Sequence, residues 1–200
     1  MGLIRLADKD LVQRVVRGDG AAFNVLVARW EKKLFNFAYR LTGDRDKAFD
    51  VCQDSFIRAY ESINQLKEPE KFANWLFKIA RNNCISLHRS EDKFPKLEET
   101  NENRAEFSLE EMLSTSSQIR IDGSQQFEQS ELRLIVAGAL DHLPFEQRET
   151  VVLKIYEGLK FSEIAEIAEC PISTVKSRLY LGLTQLKKIL TNNQRGRHEL

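Results

Sequence analysis

Five residues near the end of the chain, Ser173, Thr174, Lys176, Ser177 and Arg178, crowd together just after the turn Cys170-Pro171-Ile172. Short hydroxyl side chains and backbone amides suit phosphate oxygens, and Lys or Arg can reach the edges of guanine in a major groove. The stretch before the turn, Ser162 to Glu169, carries Ile164, Ala165, Ile167 and Ala168 at helical spacing, with alanines small enough for close helix approach. Ser173 is a suitable cap for the helix that follows. The pattern is that of a helix-turn-helix whose second helix presents Thr174, Lys176, Ser177 and Arg178 to DNA. Past residue 170 the chain holds six bases, Lys176, Arg178, Lys187, Lys188, Arg195 and Arg197, against Glu199 alone. An ordinary helical hairpin with a solvated basic face would share this pattern.

Catalytic chemistry has no comparable support. His88, His142 and His198 lie far apart, and neither a phosphate-cradling glycine loop nor a nucleophile elbow is present. Ser173-Thr-Val-Lys176 matches SxxK, but its companion SDN and KTG motifs are missing and the serine serves better as a cap. Cys84 and His88 stand one helical turn apart, yet two ligands do not make a metal site. The expectation is therefore no enzyme, no metal and no cofactor. Three cysteines, at 52, 84 and 170, form no disulfide framework, and the chain shows neither a secretory leader nor a membrane-spanning run. A reducing cytoplasm is the expected home.

The elements that must position these residues read as helices throughout. Asp8 can cap a segment with Leu11, Val12, Val15 and Val16 on one side, which ends at Arg17-Gly18-Asp19-Gly20. Phe23, Leu26, Trp30, Leu34, Phe37 and Leu41 recur every three or four residues and mark a second helix, which Thr42-Gly43-Asp44 ends. A third runs from about Asp46 to Ile63, and after Asn64 to Lys71 a fourth carries Phe72, Leu76, Ile79, Ala80, Cys84 and Leu87. Four helices around one core account for this half. From Glu91 to Gln129 the pattern dissolves into polar residues, the mark of a linker. Periodicity returns at Leu132 and predicts two helices broken at Pro144 and Gly158, then the helix-turn-helix with Val175, Leu179, Leu183, Leu186 and Leu190 facing inward. The expected fold is all-α, two small helical domains at 1–91 and 130–200 joined by a flexible acidic linker, 92–129, long enough for the halves to sample many separations.

Charge divides along the same boundaries. Lys+Arg and Asp+Glu are 30 each, but residues 1–90 hold 16 bases and 11 acids, 91–130 hold 4 and 10, and 131–200 hold 10 and 9. Two neutral-to-basic ends around an acidic connector could set positive surface on a polyanion, or lay the connector along a basic path on another protein; a solvated linker fits equally.

The motifs add a resemblance. Gly18-Asp19-Gly20-Ala-Ala-Phe23, Ala48-Phe-Asp-Val-Cys-Gln-Asp-Ser-Phe56 and Phe72-Ala-Asn-Trp-Leu-Phe-Lys-Ile-Ala-Arg-Asn82 resemble the GDxxAF, AEDLVQETF and FxxWLxxIAxN blocks of the sigma-2 domain in extracytoplasmic-function (group 4) RNA polymerase sigma factors. Leu140-Asp-His-Leu-Pro144, Arg148, Glu157-Gly-Leu159, Glu163-Ile-Ala165 and Thr174-Val-Lys-Ser-Arg-Leu179 resemble the sigma-4 domain, in order and spacing. Departures are Phe49 in place of an acid, Cys52 in place of an aliphatic residue, Cys170 at the usual small turn residue, and Leu181-Gly182 where Arg-Ala is common.

The resemblance implies an alternative sigma factor: a promoter-specificity subunit that binds the clamp and flap regions of core RNA polymerase and directs initiation at promoter DNA, without a small-molecule substrate. It implies that Asp50, Gln53, Asp54 and Phe56 bind polymerase. Lys78, Asn82, Asn83, Ser86 and Arg89, with a stacking pocket beside Phe72 and Trp75, would read the minus-10 element. Ser173, Thr174, Lys176, Ser177 and Arg178 would read the minus-35 element. It further implies an anti-sigma factor as inhibitor, which could hold the chain at the inner membrane. The residues themselves leave one rival, a stand-alone helix-turn-helix regulator that dimerises through residues 1–90.

Overall fold

A computed structural model describes residues 3–93 and 135–198, and every regular element among them is helical. In the N-terminal half, α1 is Asp8–Val16, α2 is Gly20–Thr42, α3 is Arg45–Ser62 and α4 is Phe72–Lys93. Their ends follow from local chemistry. Asp19 accepts the Ala22 amide and Asp44 the Lys47 amide, capping α2 and α3. Gly43, at φ 68°, ends α2 in the left-handed conformation that glycine adopts without steric cost. Asp8 is not a cap. It is the first residue of α1, and its carboxylate accepts from Arg29 and, at 3.0 Å, from Trp30 Nε1, tying α1 to α2.

The predicted stripes build the core. Leu11, Leu26, Leu34, Phe37, Phe72, Leu76 and Phe77 are buried. Phe77 is held edge-on by Phe37 and Trp30 at centroid distances of 5.1 and 6.1 Å.

In the C-terminal half, residues 135–141 are helical (α5). Next comes α6, Phe145–Val151, which widens into a π-helical turn at Val152–Tyr156 and stops at Gly158, φ 69°. The helix-turn-helix is α7, Phe161–Ala168, and α8, Ile172–His198. Glu163 accepts the Lys160 amide at 2.6 Å at the start of α7. Ala139, Leu140, Leu143, Val151, Leu179 and Leu186 form a local core. Two expectations change here. α8 already begins at Ile172, so Ser173 sits inside its first turn and does not cap it. Leu183 is not inward: it is 39% exposed, while Leu179 and Leu186 are buried.

The two halves are packed together. Val152, Leu153, Ile164, Ile167 and Val175 join the same apolar cluster as the cores of α1 to α4. The Arg148 guanidinium donates to the Leu41 carbonyl at 2.9 Å, and Arg40 lies 4.1 Å from the centre of the Tyr156 ring. In this arrangement the two halves share one apolar cluster. The expected linker lies outside the described residues, apart from 92 and 93 at the end of α4.

Candidate nucleic-acid interface

The start of α8 is open to solvent. Ser173, Lys176 and Ser177 are exposed and Thr174 is half-buried. Ser177 donates its hydroxyl to the Ser173 carbonyl at 3.0 Å, and Lys176 Nζ stands 5.7 Å from the Phe161 ring centre. The four face one way, as a groove-reading helix requires. Arg178 does not join them. Half-buried, it donates to Cys170 Sγ at 3.6 Å and its charge reaches Glu149, so it holds the turn from inside.

The outer side of α3 is a second surface. Asp50, Gln53 and Asp54 are exposed on one face, as the spacing predicts. Phe49 and Ile57 share that face and are more than half exposed, 53% and 56%. Large apolar side chains among polar ones in open solvent suit a surface for assembly. Phe56 is not part of it: its ring is in the core, edge-on to Phe23 at 6.5 Å.

On α4, Asn82, Ser86 and Arg89 are exposed, with Ser86 Oγ donating to the Asn82 carbonyl at 2.9 Å. Asn83 is buried and donates to Ser55 Oγ at 3.0 Å, so it fastens α4 to α3 and cannot meet DNA. The pocket expected beside Phe72 and Trp75 is filled, because Phe72 is fully buried with Trp75 against it. A shallow cleft of about 410 Å³ opens one face away, lined by Arg58, Glu61, Ser62, Gln65, Ile79 and Asn82.

Lys78 is occupied. It pairs with Glu169 at 2.7 Å, Lys71 pairs with Glu166 at 3.3 Å, and Arg81 donates from Nε to Glu149. These acids lie in the other half of the chain, and sequence reasoning missed them. A signal existed in the spacing of Glu163, Glu166 and Glu169, three residues apart on one helix face. Burial pushes the Glu149 carboxyl above its usual range, a push that Arg81 only partly offsets. Exposed Glu169 is pulled below its usual range by the hydrogen bond from Lys78. The Cys84 thiol is pushed up to about 12, chiefly by burial and then by the Glu149 charge. Among the described residues no three His, Cys, Asp or Glu side chains gather as a metal site, and no helix is long and apolar enough to cross a membrane.

Two small helical units, the second a helix-turn-helix, define the fold of a DNA-binding transcription protein. Sigma-70 region 2 matches residues 26–94 and Sigma-70, region 4 matches residues 133–186. The ECF RNA polymerase sigma-E factor of Haemophilus influenzae is 34% identical over 178 residues, covering 88% of this chain and 91% of the relative. In fold the chain is similar to CnrH, solved in complex with the cytosolic domain of CnrY (TM-score 0.64, 22% identity, 92% of this chain and 97% of that one). It is also similar to the sigma factor RpoE solved with the anti-sigma factor NepR from Bartonella quintana (TM-score 0.61, 23% identity, 84% and 96%). The chain belongs to the extracytoplasmic-function sigma factors of the sigma-70 family. It is an alternative sigma factor that directs RNA polymerase in transcription initiation, and it is not an enzyme.

Proposed function

We propose a division of labour among the three surfaces. Residues 1–91 bind core polymerase through the outer face of α3, Asp50, Gln53 and Asp54, with Phe49 and Ile57 supplying apolar contact to the clamp. The exposed residues Asn82, Ser86 and Arg89 of α4, with the half-buried Lys78 that Glu169 pairs, meet the minus-10 element, and the cleft lined by Arg58 and Asn82 receives an unstacked base. Residues 130–200 lie toward the flap, and Ser173, Thr174, Lys176 and Ser177 read the minus-35 element. An anti-sigma factor, of the kind found with the Bartonella quintana protein, inhibits the chain in the cytoplasm and holds it at the inner membrane.

The observation that carries this reading is the exposure of Phe49 and Ile57 between Asp50, Gln53 and Asp54, because water is an unfavourable neighbour for that mixture. The test is a paired substitution, Asp50→Arg with Gln53→Ala. It should abolish co-purification with core polymerase and run-off transcription while helical content and thermal unfolding stay as in the parent, since both side chains are exposed. Equal loss of fold and binding would make the face structural.

A further inference from the structure

The exposed side of α8 turns apolar one turn past its groove-reading start. Tyr180 and Leu181 are 66% and 60% exposed, the most open large apolar side chains of the C-terminal half among the described residues. Helical spacing sets Tyr180, Leu181 and Thr184 on the side that carries Ser173 and Ser177, opposite the buried Val175, Leu179 and Leu186. Packing accounts for their neighbour and not for this pair. Gly182 is buried where an added methyl would meet Val151 Cγ2 at 3.0 Å, whereas Leu181 beside it is left in solvent.

What surrounds the pair decides its occupant. Lys176 lies one turn before Tyr180, Lys187 and Lys188 follow about two turns after Leu181, and all three are exposed. No acid occurs between Cys170 and His198. That charge suits a polyanion, and promoter DNA is the polyanion that sigma domains bind. The polar side chains between these lysines are largely engaged. Ser177 donates to the Ser173 carbonyl at 3.0 Å, Thr184 to the Tyr180 carbonyl at 2.8 Å and Gln185 to the His142 carbonyl at 3.3 Å, while Leu181 has nothing to donate. Of the groups that base pairs present in a major groove, the C5 methyl of thymine is the apolar one. A polar base edge seated on Leu181 would lose its water and gain no partner.

We infer that Tyr180 and Leu181 are specificity-determining residues that select thymine in the minus-35 element by its methyl group. Leu181 stands about 6 Å along the helix from Ser177, so this thymine lies about two base pairs beyond the position that Ser177 meets. Lys176, Lys187 and Lys188 hold the helix on phosphates, and the apolar pair adds a discrimination that charge alone does not provide. The inference rests on the reading that the start of α8 meets the minus-35 element.

Deoxyuridine in place of thymine removes that methyl and nothing else. In a promoter mapped by run-off transcription with the holoenzyme, each thymine of the minus-35 element is replaced in turn. At one or two adjacent positions uracil should weaken promoter-complex formation about fourfold, the effect of burying one methyl-sized group. The Leu181→Ala, Tyr180→Ala double variant, whose melting temperature should match the parent, should bind the two templates equally. No position sensitive to uracil, or the same uracil penalty in the double variant, overturns the inference. A double variant that no longer co-purifies with core polymerase makes the pair a protein contact and overturns it too. With the unaltered chain, 5-iodouracil at the sensitive position should photo-crosslink to Tyr180, and a junction elsewhere, or none, counts against methyl readout. Scrambling the whole minus-35 element tests the underlying reading separately. Undiminished initiation there removes α8 from the element, whereas loss on scrambling without any effect of uracil strikes methyl readout alone.

Discussion

Replacing Glu149 by Leu probes the pin of the closed arrangement. The Glu149 side chain is 0% exposed and that of Arg81 11%, so the substitution leaves a guanidinium buried without its counter-charge. A buried pair broken on one side costs about 3–5 kcal/mol. Arg81 has an escape that most buried charges lack, because it returns to water when the halves separate. The cost is therefore capped by the free energy of closure and should appear as opening rather than as loss of α1 to α4. Urea unfolding should become broader or two-step, and carbodiimide joining of Lys78 to Glu169 should fall. Adding Arg81→Met removes the stranded charge and leaves an apolar contact beside Cys84, so the double variant should recover to within about 1 kcal/mol of the parent. Equal behaviour of the single and double variants would refute the reasoning, as would a single variant whose closure and unfolding match the parent.

Other expectations follow from the same geometry. Of the three cysteines only Cys170 is partly exposed, and the Cys52 and Cys84 thiols are each pushed up to about 12, so a thiol reagent at about pH 8 should label Cys170 alone in the folded chain. Gly182→Ala would bring a methyl to 3.0 Å from Val151 Cγ2 and 3.4 Å from Gln147 Cβ. Val151 is itself buried, so the crowding, about 1–3 kcal/mol, should exceed the gain of about 1 kcal/mol in helix propensity and lower the melting temperature.

Local periodicity was sufficient for the elements and for the orientation of α3. The Phe23 to Leu41 stripe names the core side of α2, and Asp50, Gln53 and Asp54 fall opposite the apolar positions of α3. It failed where a residue's role depends on a neighbour far along the chain. Asn83 reads as a polar base-reader until Ser55, on another helix, is seen to take its amide. Arg178 reads as outward until the turn places Cys170 beneath it. Phe56 belongs to a motif block, yet its ring fills the core. The closing contacts were the least legible, since Arg81 and Glu149 are 68 residues apart and Lys71 and Glu166 are 95 apart. Helical spacing reports only which side of a helix is apolar.

The three proposed surfaces are in different states in the closed chain. The outer face of α3 and the start of α8 are open to solvent. Lys71, Lys78 and Arg81 lie along an apolar seam with three ion pairs, of which only Arg81–Glu149 is shielded from solvent, while Asn82, Ser86 and Arg89 of α4 stay exposed. Exposed pairs contribute about 0–1 kcal/mol each and are screened by salt, so apolar burial and the shielded pair supply most of the closing free energy. A competitor offering only negative charge, such as free DNA, therefore cannot displace the acids without also exposing Val152, Leu153, Ile164 and Ile167 to water. A protein partner that holds both halves can supply that missing free energy, because its second contact forms at high effective concentration.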